Sequence, residues 1–232
     1  MESILLPSKI SFTKGERPHE GVLTVEPCTQ GYGTTVGNAF RRVLLSSLPG
    51  AAVTAVRIKG VDHEFSTIPY TKEDALEVIL NLKSLRVKSH SDEPVKLMLS
   101  VKGEKTITAS DFEANADVEI VNPDHFIATL TDPAASLEME ITVSPGRGYR
   151  STEERGKEKM DIGTIAIDAL YSPVLNVSYK VEQTRVGERT DYDKLVLRVE
   201  TDGSLDPIDA CKQSVKILLD HFNLLQDLEY ES

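Results

Sequence analysis

The chain has 232 residues, 40% hydrophobic and 27% charged, with a formal net charge of −11, which is enough length for one large domain or two ordinary ones without metals or disulfides. That charge argues against a large phosphate-binding face, because Lys and Arg dominate affinity for nucleic acid, and no apolar run approaches the roughly 20 residues that cross a bilayer. The opening MESILLPSKISF carries no secretion signal, and Cys28 and Cys211 lack metal-ligand spacing, so the sequence reads as a cytoplasmic protein with two reduced structural thiols.

In chain order, KISFTK and EGVLTVE alternate apolar and polar residues across a turn-forming GERP, which predicts an antiparallel hairpin ended by Pro27. Gly31 and Gly33 then loosen the chain before a helix capped by Thr34 or Thr35. Its apolar positions Val36, Ala39, Phe40, Val43, Leu44 and Leu48 recur at helical spacing, and Pro49-Gly50 stops it. From Pro27 to Val61 there is no carboxylate, although the chain carries 37 acids. Such a surface is suited to being covered.

A strand follows in AVTAVRIKG, then a second helix whose start Thr71-Lys72-Glu73-Asp74 fits a capping box and whose Leu76, Ile79, Leu80 and Leu82 give one buried face. VKLMLSV, ADVEIV, FIATLT and LEMEITV, divided by turn residues, predict a small antiparallel sheet, and PGRGYRSTEERGKEK a long exposed loop. PVLNVSYKVEQTR and DKLVLRVET form a hairpin around VGERTDY. Asp206 caps the last helix, with Pro207 at its first position.

In that helix Ile208, Cys211, Val215, Leu218, Phe222 and Leu225 follow alternating steps of three and four, a coiled-coil-like seam. Ala210, Leu219 and Leu224 widen the apolar surface, so one edge faces the helix's own sheet and another is free for something else. The acidic ending QDLEYES reads as the start of a tether.

Enzymatic readings are weak. The glycines at 31, 33 and 37 miss a dinucleotide fingerprint, since Val36 stands where a glycine is needed and no acid follows at the required distance. Asp191 and Asp193 have the alternate spacing of a magnesium chelate, but their neighbours Arg189 and Lys194 favour an ion-paired turn at the hairpin bend. The histidines show no ligand pairing. A nucleotide- or magnesium-dependent enzyme using the Gly31–Gly37 loop and Asp191/Asp193, and a stand-alone DNA-binding regulator, are the rival readings. Arg41 and Arg42 sit among Leu44, Leu45 and Leu48, and arginine amid apolar residues is a common hot-spot composition.

GNAFRRVLLSSLPG, VDHEFSTI, EDALEVILNLKSL, GRGY, LYSPVLNVSY, RTDYDKLVLRVETDGS and DPIDACKQSVKIL occur in the order of one known family. Over essentially its whole length the chain resembles the N-terminal domain of the bacterial-type DNA-directed RNA polymerase alpha subunit. The resemblance implies an α+β fold in two parts. A dimerisation domain, residues 1–49 and 171–232, carries two packed helices on an antiparallel sheet, and residues 50–170 form an inserted, mostly-β domain.

By the same resemblance the chain is a non-catalytic homodimeric platform for the beta and beta-prime subunits in transcription. It would have no catalytic residue, cofactor or metal, and no membrane contact. Arg41, Arg42, Leu45, His63, Glu64, Phe65 and Ser66 fall on the beta-facing surface, and Arg189, Asp191, Asp193 and Lys194 near beta-prime. Phe40, Val43, Leu44, Val215, Leu218, Leu219, Phe222 and Leu225 fall at the dimer interface. Complete family chains add a linker and a C-terminal DNA-binding domain. The present residues would therefore touch DNA only indirectly, in the cytoplasm, as part of a nucleoid-associated polymerase.

Overall fold

The computed structural model describes residues 4–155, 161 and 163–226. Its elements are β1 Lys9–Lys14, β2 Glu20–Cys28, α1 Tyr32–Ser46, β3 Pro49–Ile58, α2 Ala75–Lys83, β4 Val87–Ser89, β5 Val95–Lys102, β6 Lys105–Thr108, β7 Val118–Ile120, β8 Phe126–Leu130, β9 Ser136–Arg147, β10 Tyr149–Arg150, β11 Ile165–Ala166, β12 Ala169–Leu170, β13 Val174–Val186, β14 Arg189–Thr201 and α3 Pro207–Gln226. They form two compact units, one from the chain up to Leu48 and from Ser172 on, the other from Pro49 to Tyr171. The fold is α+β, as the sequence implies.

The first unit is a four-stranded antiparallel sheet in the order β1-β2-β14-β13. Strand alternation puts Leu195, Leu197 and Val199 of β14 on the face that packs with Leu44, Leu48, Val177, Ala210 and Cys211. The opposite face carries a row of charges in which Lys9 meets Glu26 at 2.8 Å, Lys194 stands 4.0 Å from both Glu26 and Glu182, and Lys180 meets Glu182 at 2.7 Å. One face is hydrocarbon and the other is solvated.

Helix α1 departs from the sequence reading. It begins at Tyr32 after Gly31, whose φ of 87° lies in the left-handed region that favours glycine, and neither Thr34 nor Thr35 caps it. Gly33 is buried inside the helix instead of preceding it, and Gly37 is buried one turn further on. A Cβ on Gly33 would lie 3.0 Å from Val181 Cγ1, and one on Gly37 only 2.6 Å from Tyr179 Cδ2. They are there so that the helix can approach β13 and β14. β2 also runs through Pro27 to Cys28, and Leu48 is buried beyond the helix's end.

The β13–β14 hairpin turns at residues 187–188, so Asp191-Tyr192-Asp193 lies within a strand and not at the bend. α3 starts as its sequence predicts, with the Ile208 N–H donating to Asp206 Oδ1 at 3.0 Å. Its inner face is Pro207, Ala210, Cys211 and Ser214. Both cysteines are free and buried, and burial pushes the Cys211 thiol up to about 11.

The second unit holds a sheet in the order β11-β3-β9-β5 and three two-stranded pairs, β4-β7, β6-β8 and β10-β12. The single small sheet expected between 94 and 143 is thus divided, because β7 and β8 pair with β4 and β6 and not with β5 and β9. Its capping box lies three residues later than the sequence suggests. The Glu77 N–H donates to Asp74 Oδ1 at 2.8 Å and the Asp74 N–H to Glu77 Oε2 at 3.3 Å, while Glu73 accepts the Thr129 N–H at 2.7 Å.

That shift re-aims α2. Ala75, Val78, Ile79 and Leu82 are buried at i, i+3, i+4 and i+7, leaving Leu76 and Leu80 exposed. The expected loop 145–159 is partly ordered too, with β9 reaching Arg147 and β10 following. Arg155 is buried, its guanidinium donating to the Thr54 carbonyl at 3.1 Å and to the Ile167 carbonyl. Residues 156–159 of that loop and the acidic ending, 227–232, lie outside the described residues.

Candidate assembly surfaces

On α1, the exposed side carries Arg41, Arg42 and Leu45, Phe40 and Val43 are half-buried, and Leu44 is fully buried in its own unit. Leu44 is therefore core, not a dimer contact, because the sheet has already removed it from solvent. At the helix's start the only carboxylate contact among the described residues comes from far along the chain. Asp193 Oδ2 accepts the N–H of Gly31 at 2.8 Å and of Gly33 at 3.2 Å. A carboxylate there satisfies two donors that a helix start leaves open and sits at the positive end of the helix dipole.

This placement corrects two expectations. Asp193 is buried and turned toward α1, so it is not a surface residue of the hairpin. It also accepts from the two N–H donors that a phosphate would need on the Gly31–Gly37 segment, which is helix from Tyr32 on and not a loop. The nucleotide-enzyme reading loses both of its elements here.

The rest of the hairpin group is divided. Arg189 grips Asp191 through Nε at 3.1 Å and Nη2 at 2.8 Å, and stands 5.1 Å from the centre of the Tyr192 ring. That hydrogen bond from Arg189 holds the Asp191 carboxyl below its ordinary value. Lys194 points to the opposite face, between Glu26 and Glu182. Among the described residues no group of three or more His, Cys, Asp or Glu is placed to hold a metal ion.

On α3, Val215, Leu219, Phe222 and Leu225 are exposed along one side, with Phe222 at 60% and Leu219 at 53%. Leu218 is half-buried beside them. Spacings of four, three and three keep these residues on a single stripe next to the face that packs on the sheet. The last two turns of the described helix are exposed all round.

In the second unit, the loop 63–66 closes on itself. The Ser66 N–H donates to the His63 carbonyl at 3.1 Å, and the Ser66 hydroxyl stands 3.2 Å from His63 Nδ1. Phe65 is left 76% exposed. His63 and Glu64 line a cleft of about 450 Å³ with Leu76, Leu80, Lys83 and Asp168. Asp168 accepts the Thr152 N–H at 2.9 Å and Lys83 Nζ at 3.2 Å. The Thr152 N–H, then Lys83 and Tyr149, hold its carboxyl below the usual aspartate range despite some desolvation.

Comparison with known proteins identifies the architecture. The family model for the RNA polymerase Rpb3/RpoA insert domain matches residues 56–172. The chain belongs to this family. The DNA-directed RNA polymerase subunit alpha of Alkaliphilus oremlandii (strain OhILAs) is 55% identical over 204 residues, 88% of this chain and 64% of that protein. The proteins of the same name from Symbiobacterium thermophilum (strain DSM 24528 / JCM 14929 / IAM 14863 / T) and Moorella thermoacetica (strain ATCC 39073 / JCM 9320) are each 52% identical over 208 residues, 90% of this chain and 66% of theirs. The chain thus spans just under two thirds of the length of these relatives.

The Rpb3/RpoA insert-domain match covers nearly all of the second unit, and the alpha-subunit relatives extend over both. Within this family member, the structure brings the α3 residues onto one stripe and the 63–66 residues onto one loop. It does not bring Asp193 and Lys194 together. Sequence reasoning missed Leu76, Leu80, Lys83 and Asp168 as surface residues beside His63. The signal that could have found them is the period itself, since a buried set at 75, 78, 79 and 82 leaves 76, 80 and 83 on the other side. Among the described residues no helix is long and apolar enough to cross a membrane.

Proposed function

We propose that this chain is the non-catalytic assembly subunit of a DNA-directed RNA polymerase. It pairs with a second copy of itself through α3 and α1, and offers separate faces to the beta and beta-prime subunits. The supporting observation is the uncovered apolar stripe of α3, Val215, Leu219, Phe222 and Leu225, on a chain about half identical to proteins named DNA-directed RNA polymerase subunit alpha. Burying half-exposed Leu and Phe side chains contributes roughly 1 kcal/mol or more each. A two-fold pairing counts each residue twice, which offsets the ordering cost of association.

On this reading Arg41, Arg42 and Leu45 on α1, and His63, Glu64, Phe65 and Ser66 in the second unit, face beta. Arg189, Asp191 and Lys194 face beta-prime. Phe40, Val43 and Leu218, each half-buried, complete the dimer contact. Nucleotidyl transfer belongs to the large subunits, DNA is reached through them, and the assembly works in the cytoplasm.

Sedimentation tests the first step. The native protein should be a dimer at micromolar concentration and Phe222→Asp a monomer, and a monomeric native protein overturns the reading. Capture of purified beta subunit tests the second. Removing the arginine that is desolvated in the complex should weaken capture by 2 kcal/mol or more, an order-of-magnitude value for a buried interface charge, while the dimer persists.

A further inference from the structure

We infer that Asp193 is a positioning residue for the arginine face of α1, a carboxylate on β14 that supplies the helix's missing cap and thereby sets where Arg41 and Arg42 stand. The inference rests on the proposal that those arginines meet the beta subunit. Asp193 itself is buried within its own unit.

Three observations carry it. α1 has no acid in its first turn, and the residue before it is a left-handed glycine without a side chain to cap with. The two open donors, Gly31 N–H and Gly33 N–H, both converge on one oxygen of Asp193, which comes from 160 residues further along the sequence. The site is also fitted to the carboxylate. A Cβ at residue 33 would come within 3.1 Å of both Cβ and Oδ2 of Asp193, so glycine there keeps the helix start against β14.

Arg41 lies eight residues beyond Gly33, about 12 Å along the axis at 1.5 Å per residue. A helix pinned at Gly31, Gly33 and Gly37 carries its placement to Arg41 and Arg42 as a rigid rod. The pin belongs to the same strand that bears Asp191 and Lys194, which are offered to the other partner. One carboxylate therefore joins the supports of two proposed docking faces within the first unit.

The experiment uses the intact dimer, purified beta subunit, and the variants Asp193→Ala, Asp193→Asn, Arg41→Ala/Arg42→Ala and the combination of Asp193→Ala with both arginine changes. Asp193→Ala should lower beta affinity about tenfold, the scale of a lost helix cap, with the protein still a dimer by sedimentation because the exposed α3 stripe that carries the pairing lies outside α1. Asp193→Asn should lose less, because its amide oxygen still accepts. In the combined variant Asp193→Ala should add no further loss, as expected when one residue acts through others; an equal tenfold loss there overturns the inference.

A second readout separates this inference from the reading it rests on. Amide exchange at Gly31 and Gly33 should accelerate at least about tenfold in Asp193→Ala, while Leu197 in the sheet keeps its protection. Unchanged exchange overturns the pin whatever beta does. Full beta affinity in the double arginine variant overturns the role of the arginine face, and with it any positioning role for Asp193, even if exchange accelerates. Should Asp193→Ala not fold, Asp193→Asn carries the same comparisons with smaller shifts.

Discussion

The unit from Pro49 to Tyr171 closes its own core, whereas the unit built from the two ends of the chain does not. In the first case Val56, Leu82, Ile107, Ile127, Ile141 and Val143 are fully buried from several strands and α2 at once. In the second, a thinner core of Leu44, Leu48, Leu197, Val199 and Ala210 lies under two helices, and α3 leaves Leu219, Phe222 and Leu225 bare. A domain that finishes its core draws its stability from packing within itself. One that leaves an apolar helix face open depends for part of its stability on the concentration of whatever covers that face.

The largest expected effect tests the closed core. Leu82→Ala should cost about 2–5 kcal/mol in urea denaturation at any protein concentration, since a fully buried leucine loses both transfer energy and packing. Leu80→Ala, two residues away but exposed, should stay within about 0.5 kcal/mol. Equal costs would mean that the burial pattern of α2 is wrong.

The open unit should behave differently on dilution. Its denaturation midpoint is expected to fall as the protein is diluted through the dissociation range, and Phe222→Asp should remove that dependence by setting the midpoint at its dilute value. A midpoint independent of concentration in the native protein would erase the contrast between the two units.

Gly37→Ala is a sharper probe of the same unit. Helix propensity alone would favour alanine by about 1 kcal/mol. The added methyl, however, meets the Tyr179 ring at 2.6 Å and Leu195 Cδ1 at 2.9 Å, and overpacking costs about 1–3 kcal/mol. The expected outcome is a net loss in denaturant midpoint; a gain would show that α1 can lift from the sheet freely.

The smallest effect is electrostatic and lies in the closed unit. Asp168, held below the ordinary aspartate value by the Thr152 N–H and then by Lys83 and Tyr149, binds its proton less tightly folded than unfolded. Its contribution is therefore present above about pH 4 and lost as pH falls through the depressed folded value. Because the side chain is partly solvated, the contribution is small. Asp168→Asn should flatten the acid limb of that unit's stability curve slightly, and an unchanged limb would show that the network contributes nothing.

Several features are legible in the sequence alone. The β1–β2 hairpin followed from alternation, and the start of α3 from Asp206-Pro207. The presence of two apolar faces on that helix followed from its spacing. These signals are local, because they depend on backbone period and on hydrogen bonds within a few residues. For the same reason the ordered series of motifs from GNAFRRVLLSSLPG to DPIDACKQSVKIL was enough to indicate the family.

What the sequence could not decide was which neighbour each residue would meet. Thr34 and Thr35 look like caps until Asp193 arrives from a distant strand to hold Gly31 and Gly33. Glu73 looks like part of the α2 cap until it accepts the Thr129 N–H of β8. Arg155 looks like loop until its guanidinium finds the carbonyls of Thr54 and Ile167. Composition and period determine that a helix forms and that it has an apolar side. Only tertiary packing, which brings groups far apart in sequence to between 2.8 and 3.2 Å of one another, decides how that helix is capped and which of its residues stay uncovered.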